Sequence, residues 1–137
     1  MGQRVARECV RGLLQRKRQA GVVTVLGLTF KENDPDTRNS RVIDIVRELQ
    51  SFGLTVQLHD PWADATDAKR EYGVTLMELG ALQAADAIVL AVAHDLYVEG
   101  GWPLIRRLLS KDGGLVLDVK TRLDRASKPA EVELWRL

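Results

Sequence analysis

The sequence predicts an α/β fold, a doubly wound and mainly parallel sheet of about five strands with flanking helices, preceded by a long N-terminal helix. Three observations carry that expectation. Four short apolar runs, at residues 22–28, 54–59, 87–92 and 115–119, are nearly continuous, as strands buried on both faces are. Segments with a helical spacing of apolar residues separate them. The connection after the first run is long, polar and rich in charge, and it falls beyond the carboxyl end of the first strand, where open parallel sheets hold their ligands.

Residues 3–19 are the first element, an amphipathic helix. Val5, Cys9, Leu13 and Leu14 recur at helical spacing while Arg4, Arg7, Arg11, Arg16, Lys17 and Arg18 take the other positions, and Gly21 closes it. After the first strand, residues 41–52 form a helix with Val42, Ile45, Val46 and Leu49 on one side and Arg47, Glu48 and Gln50 on the other, with Gly53 as its stop signal. Residues 64–72 and 76–84 are expected as two helices between the second and third strands, and 102–109 as the helix before the fourth. Residues 131–137 add an edge strand. Right-handed crossovers then give the doubly wound sheet. There is no internal repeat, low-complexity segment or flexible linker; residues 1–20 form the leading helix and 21–137 the domain.

A chain of 137 residues with 45% hydrophobic and 28% charged content fits one domain with a sizeable core. The formal charge of +1, from 20 Lys and Arg against 19 Asp and Glu, gives no global field toward nucleic acid or a membrane, so any anion site is local. The single cysteine, Cys9, has no internal disulfide partner, and no apolar run approaches the roughly 20 residues that span a bilayer. Residues 1–20 lack the apolar centre of a signal peptide, so the expected setting is cytoplasmic. No metal site is expected.

The loop from Leu28 to Ser40 holds Lys31 and Arg38 among Glu32, Asp34 and Asp36. Only Gly27 stands where a G-x-G-x-x-G turn needs three glycines, so no dinucleotide is assigned to this chain. A connection of about a dozen residues is long for this position, and loops of that length are often functional. Lys31 supplies a compact charge, and Arg38 a planar fork that grips phosphate through two bonds. Asn39 or Ser40 is the natural cap of the next helix, whose positive N-terminus adds to the same field. The chemical inference is a phosphorylated ligand. The alternative is that Lys31 and Arg38 are solvated charges paired with Asp34 and Asp36.

Other residues face the same rim. Asp60 ends the second strand, where an acid can take a ribose hydroxyl or cap the following helix, and the cap is the favoured reading. His94 and Asp95 follow the third strand; with no serine or cysteine placed beside them, a structural histidine is expected. Lys120 and Arg122 follow the fourth strand and would project near Lys31 and Arg38, strengthening a local positive patch. Trp62, Trp102 and Trp135 are read as packing residues, since none lies in a basic, aromatic-interleaved stretch. Cys9 is read as core.

Gly27-Leu28-Thr29-Phe30-Lys31, then Asp36-x-Arg38-x-Ser40, a helix, Gly53, a strand and Asp60-Pro61 resemble the C-terminal domain of the UDP-glucose/GDP-mannose dehydrogenase family over nearly the whole chain. Leu28-Thr29-Phe30-Lys31-Glu32-Asn33, His59-Asp60-Pro61-Trp62, Ala91-Val92-Ala93-His94 and Asp118-Val119-Lys120 are most similar to the branch that oxidises UDP-N-acetylhexosamines. Where many relatives carry two adjacent arginines after the last strand, this chain has Lys120 and Thr121, which also favours that branch over glucose.

The resemblance implies a Rossmann-like domain that binds the nucleotide part of a UDP-sugar. It also implies a longer parent protein, in which an N-terminal domain binds NAD and a central helical domain dimerises and carries the nucleophilic cysteine. By resemblance, Phe30 and Lys31 line the uridine diphosphate pocket, with the backbone near Phe30 at the base or ribose and Lys31 at the diphosphate. Asp36 and Arg38 shape or extend the site, and Lys120 adds a basic group. Residues 1–20 would be the end of the central helix. The parent would be a homodimeric, NAD-dependent 6-dehydrogenase making a uronic acid for a surface polysaccharide. This chain alone would hold no catalytic residue, bind no NAD, bind uridine nucleotides weakly or not at all, and be inactive. Two other readings are a phosphoacceptor receiver, disfavoured because Leu28 and Thr29 stand where it needs clustered acids, and a non-catalytic Rossmann-like interaction module using the arginine-rich helix, in which loss of a dimer partner would leave Val5, Cys9 and Leu13 exposed.

Overall fold

A computed structural model describes residues 2–16 and 21–137. In chain order these form α1 (Gly2–Gln15), β1 (Val22–Leu26), α2 (Val42–Ser51), β2 (Thr55–His59), α3 (Ala65–Tyr72), β3 (Ala87–Leu90), α4 (Asp95–Leu108), β4 (Gly114–Asp118) and β5 (Val132–Arg136), with short 3-10 turns at Leu79–Ala81 and Arg125–Ser127. All strand pairs are parallel, in the order β2-β1-β3-β4-β5. The chain reverses direction across the sheet between β1 and β3. Their carboxyl ends therefore flank the crevice in which this strand order places ligands.

Strand side chains alternate between two apolar layers. Val23, Val25, Val89, Leu115 and Leu117 pack with Val5, Cys9 and Leu13 of α1 and Ile45 and Leu49 of α2. On the other face Leu26, Ile88, Leu90 and Val116 pack with Tyr97, Trp102 and Ile105 of α4. Helices on both faces explain why the strands read as continuous apolar runs. The sequence expectation that Val5, Cys9 and Leu13 are exposed without a partner is corrected, since all three are buried on the domain's own sheet and α2. The expected helical residues 17–19 and the boundary at residue 20 lie outside the described residues.

Three further expectations change. Residues 76–84 form no α-helix: Gly73 ends α3 in the left-handed region at φ +71°, Leu76 then bridges Leu58 of β2, and the Met77 N–H donates to the Leu58 carbonyl. Edge pairing with β2 thus outcompetes helix formation, leaving only the turn at Leu79–Ala81. The helix expected at 102–109 is the second of two segments: Gly101 (φ +53°, ψ −150°) kinks α4, and the segment before it, from Asp95, was not expected because the kink interrupts the apolar period. Trp62 is no packing residue; it remains 45% exposed.

Candidate functional site

The first connection leaves β1 through Gly27, where the backbone takes φ +101° and a Cβ would lie 2.5 Å from Val92 Cβ and 2.8 Å from Val92 N. Only glycine permits this crossing of β1 and β3 ends. The loop then folds in two parts. Its second half docks on α3: the Thr37 hydroxyl donates to Glu71 Oε2 at 3.2 Å, the Tyr72 hydroxyl donates to the Thr37 carbonyl at 2.5 Å, and the Ser40 N–H donates to that hydroxyl at 3.2 Å. Ser40 Oγ donates to the Leu28 carbonyl at 2.6 Å, so it does not cap α2. Arg41 takes the cap position with no side-chain cap, in place of the expected Asn39 or Ser40.

The first half of the loop forms one wall of a cleft of about 250 Å³ at the carboxyl end of the sheet. Thr29, Phe30, Lys31 and Glu32 come from this half, Arg41, Val42 and Ile45 from the start of α2, Ala91 and Val92 from the end of β3, and Val119 and Lys120 from the end of β4. Phe30 is 58% exposed. Arg41 and Lys120 have no ion-pair partner among the described residues. Lys31 Nζ stands 3.8 Å from Asp34 Oδ2 in an exposed pair, a geometry that contributes little in water and leaves the ammonium available. Three cations, one carboxylate (Glu32) and the uncapped first turn of α2, whose N–H groups carry partial positive charge, thus border one apolar-floored cleft.

Of the sequence-selected residues, Phe30, Lys31 and Lys120 meet there. Asp36 and Arg38 pair with each other instead: Arg38 Nε donates to Asp36 Oδ1 at 3.0 Å, and this hydrogen bond holds the Asp36 carboxyl below its ordinary pKa. Asp36 still shapes the wall, since its carbonyl accepts from the Phe30 N–H at 2.9 Å. Arg122 lies elsewhere, in a larger cleft of about 470 Å³ beside Trp102, Leu123 and Pro129, and does not join the patch with Lys31. Arg41 was missed as a site residue; its place directly before the apolar positions of a helix that follows a functional loop was the available signal.

Behind the wall lies a buried polar cluster. Asp60 Oδ2 accepts from Leu28 N at 2.6 Å and Thr29 N at 3.0 Å, and Oδ1 accepts from Trp62 N at 2.7 Å and Ala63 N at 3.0 Å. The Asp60 side chain therefore does not cap α3; Asp64 does, accepting from Asp67 N at 2.9 Å. His94 Nε2 lies 2.9 Å from Asp60 Oδ2. Burial pushes the Asp60 carboxyl up, but the bonds from His94, Leu28 and Thr29 outweigh it and hold the group at about 2. Below it, Tyr97 packs against both His59 and His94, its hydroxyl 2.7 Å from His59 Nδ1, and burial pushes the Tyr97 phenol up and the His59 imidazole down.

Two chemistries fit poorly. The connection after β1 has no glycine-rich turn leading straight into a helix, so the residues present do not form a dinucleotide cradle. Cys9 is fully buried on α1, and burial raises its thiol to about 12, so it is not a nucleophile in the folded chain. Among the described residues no cluster of His, Cys, Asp and Glu is arranged to hold a metal, and no helix is long and apolar enough to cross a membrane.

The chain is 43% identical, over 90% of its length, to a UDP-N-acetyl-D-glucosamine 6-dehydrogenase of Pseudomonas aeruginosa, and covers 30% of that protein. It is 38% identical over its full length to Protein CapL of Staphylococcus aureus, covering 32% of it. The chain thus spans about a third of the curated relatives it matches. Its fold is shared with an NDP-N-acetyl-D-galactosaminuronic acid dehydrogenase from Methanosarcina mazei, at TM-score 0.85 and 18% identity, over 98% of this chain and 28% of that one. Residues 24–125 match the UDP binding domain of the UDP-glucose/GDP-mannose dehydrogenase family, and the chain belongs to that family.

Proposed function

We propose that the cleft between the Phe30 and Lys31 wall and the start of α2 binds the uridine diphosphate of a UDP-sugar. The observation that carries this reading is the convergence of Lys31, Arg41 and Lys120 on one cleft at an uncapped helix N-terminus, in a chain of this family. A diphosphate matches such a field, because charge-assisted bonds from ammonium and guanidinium groups add to those of first-turn N–H groups. Phe30 offers an exposed ring to the base or ribose. Asp36 and Arg38 act on the shape of the loop, through the bond from Phe30 N–H to the Asp36 carbonyl.

In the parent protein this binding serves orientation. Affinity for the unreactive nucleotide positions the sugar's primary alcohol for reaction elsewhere, which lowers the barrier without any reacting group in this chain. The substrate is a UDP-N-acetylhexosamine, as the name of the Pseudomonas relative supports. The parent is a cytoplasmic, homodimeric 6-dehydrogenase that uses NAD at a site outside this chain.

The test is a titration of the isotopically labelled chain with UDP and separately with NAD, followed by backbone amide shifts. UDP is expected to move amides of Thr29, Phe30, Lys31, Val42, Val92 and Lys120, and NAD to leave them in place. Equal responses to the two ligands, or UDP-induced shifts confined to the cleft beside Trp102, would overturn the reading.

A further inference from the structure

The exposed wall of the cleft is fixed from behind by one imidazole. His94 is fully buried at the junction of β3 and α4. Its Nδ1 accepts the Asn33 backbone N–H at 2.9 Å. An amide N–H only donates, so Nδ1 carries no proton, and the proton of the neutral ring sits on Nε2. That atom faces Asp60 Oδ2 at 2.9 Å and Thr29 Oγ1 at 3.1 Å. The Thr29 hydroxyl spends its own proton on the Lys31 carbonyl, at 3.0 Å. The two edges of the ring therefore grip Thr29 and Asn33, the residues on either side of Phe30, Lys31 and Glu32.

The far side of the grip is equally specific. Asn33 adopts φ +57°, and its Oδ1 accepts the Asp95 N–H at 3.0 Å, so backbone and side chain of one residue bind consecutive residues at the start of α4. The near side is anchored by Asp60, which takes the Leu28 and Thr29 N–H groups on the same oxygen that faces His94. None of these groups lines the cleft except Thr29.

We propose that His94 is a positioning residue for nucleotide binding: by linking the Asp60 carboxylate and Thr29 to the Asn33 N–H, its neutral ring sets where Phe30 and Lys31 stand. This rests on the reading of the cleft as the UDP site. The Nδ1 acceptor is the edge that reaches past Phe30 and Lys31 to Asn33, and the Nε2 edge anchors the ring to Asp60 and Thr29. Asparagine reproduces the Nδ1 edge and can accept from Asn33; glutamine reproduces the Nε2 edge and can donate to Asp60.

The experiment compares His94→Asn, His94→Gln and His94→Ala in this chain by UDP titration, thermal unfolding and amide hydrogen exchange, with ring nitrogen shifts of the wild type. The wild-type ring is expected to be protonated on Nε2. His94→Gln and His94→Ala are expected to bind UDP about tenfold more weakly, the loss of one well-made bond's worth of positioning, and His94→Asn to recover most of it. His94→Gln should keep more thermal stability than His94→Ala, so affinity and stability part company. UDP affinity that follows melting temperature across the three variants, or a wild-type ring protonated on Nδ1, overturns the proposal. Absence of UDP binding by the wild type overturns the nucleotide reading instead. In that case the positioning of the turn is read from exchange of the free chain: faster exchange at Phe30 and Asn33 in His94→Gln, with Val89 unchanged, supports it, and unchanged exchange sinks it.

Discussion

Asp60→Asn removes one acceptor from a carboxylate that ties together the loops after β1, β2 and β3. Both oxygens are in use, Oδ2 by Leu28 N, Thr29 N and His94, and Oδ1 by Trp62 N and Ala63 N. An asparagine amide presents one oxygen and one donor, so either orientation points an NH2 group at two backbone N–H groups. The less costly orientation keeps the oxygen at the buried Leu28 and Thr29 side and sacrifices the bonds from Trp62 and Ala63, where water can enter. Two lost bonds at roughly 1 kcal/mol each, plus the lost charge assistance on those that remain, give about 3 kcal/mol. That is a large share of the 5–15 kcal/mol typical of a domain. Urea denaturation at pH 7 is the assay, with a lower midpoint and an unchanged slope expected.

The same residue fixes the sign of a pH effect. Its folded carboxyl titrates at about 2 against an ordinary value of 3.8. A depressed folded pKa contributes stability that is complete above the unfolded value and disappears as pH falls through the folded one. Between pH 5 and pH 2 the wild type should therefore lose on the order of 2 kcal/mol that Asp60→Asn does not lose. A substitution cost under about 1 kcal/mol, or parallel pH profiles of the two proteins, would refute the reasoning that Asp60 is a buried, hydrogen-bonded anion.

Three further outcomes are expected. Lys31→Ala and Lys120→Ala should each weaken UDP binding about tenfold in calorimetry at low salt, and Arg38→Ala, whose guanidinium is engaged by Asp36, should act less; the reverse order would move the anion to the other half of the loop. Gly27→Ala should cost about 3 kcal/mol or more in thermal unfolding, because φ +101° and a contact of 2.5 Å with Val92 both oppose a side chain; a near-neutral result would mean that β1 and β3 ends separate easily. Cys9 should react with a thiol reagent only at the rate of unfolding, and fast reaction in the native chain would show α1 detaching.

The strands were legible because burial on both faces makes them apolar throughout, and α2 because Val42, Ile45, Val46 and Leu49 repeat on one stripe and Gly53 stops it at φ +81°. The segment after α3 was not, since Leu76, Leu79 and Leu82 match a helical spacing while pairing with β2 decides the backbone. Gly101 hid the first turns of α4 in the same way, by interrupting the period. That Phe30, Lys31 and Lys120 share one cleft could be anticipated because loop and strand ends are local features that resemble a known family. The bridge from Asp60 through His94 to Asn33 joins residues far apart in sequence, and no spacing rule records it. Whether Lys31 and Arg38 face a ligand or their acidic neighbours was likewise a question of side-chain direction: both contact the acids, but only Lys31 also lines the cleft.

The measurement that bears most directly on the central claim is a crystal structure of the chain grown with UDP. The account predicts diphosphate density between Lys31, Arg41 and Lys120 at the start of α2, with the uridine against Phe30. Density for the nucleotide in the cleft formed by Trp102, Arg122 and Pro129, with the Lys31 cleft filled only by solvent, would contradict it.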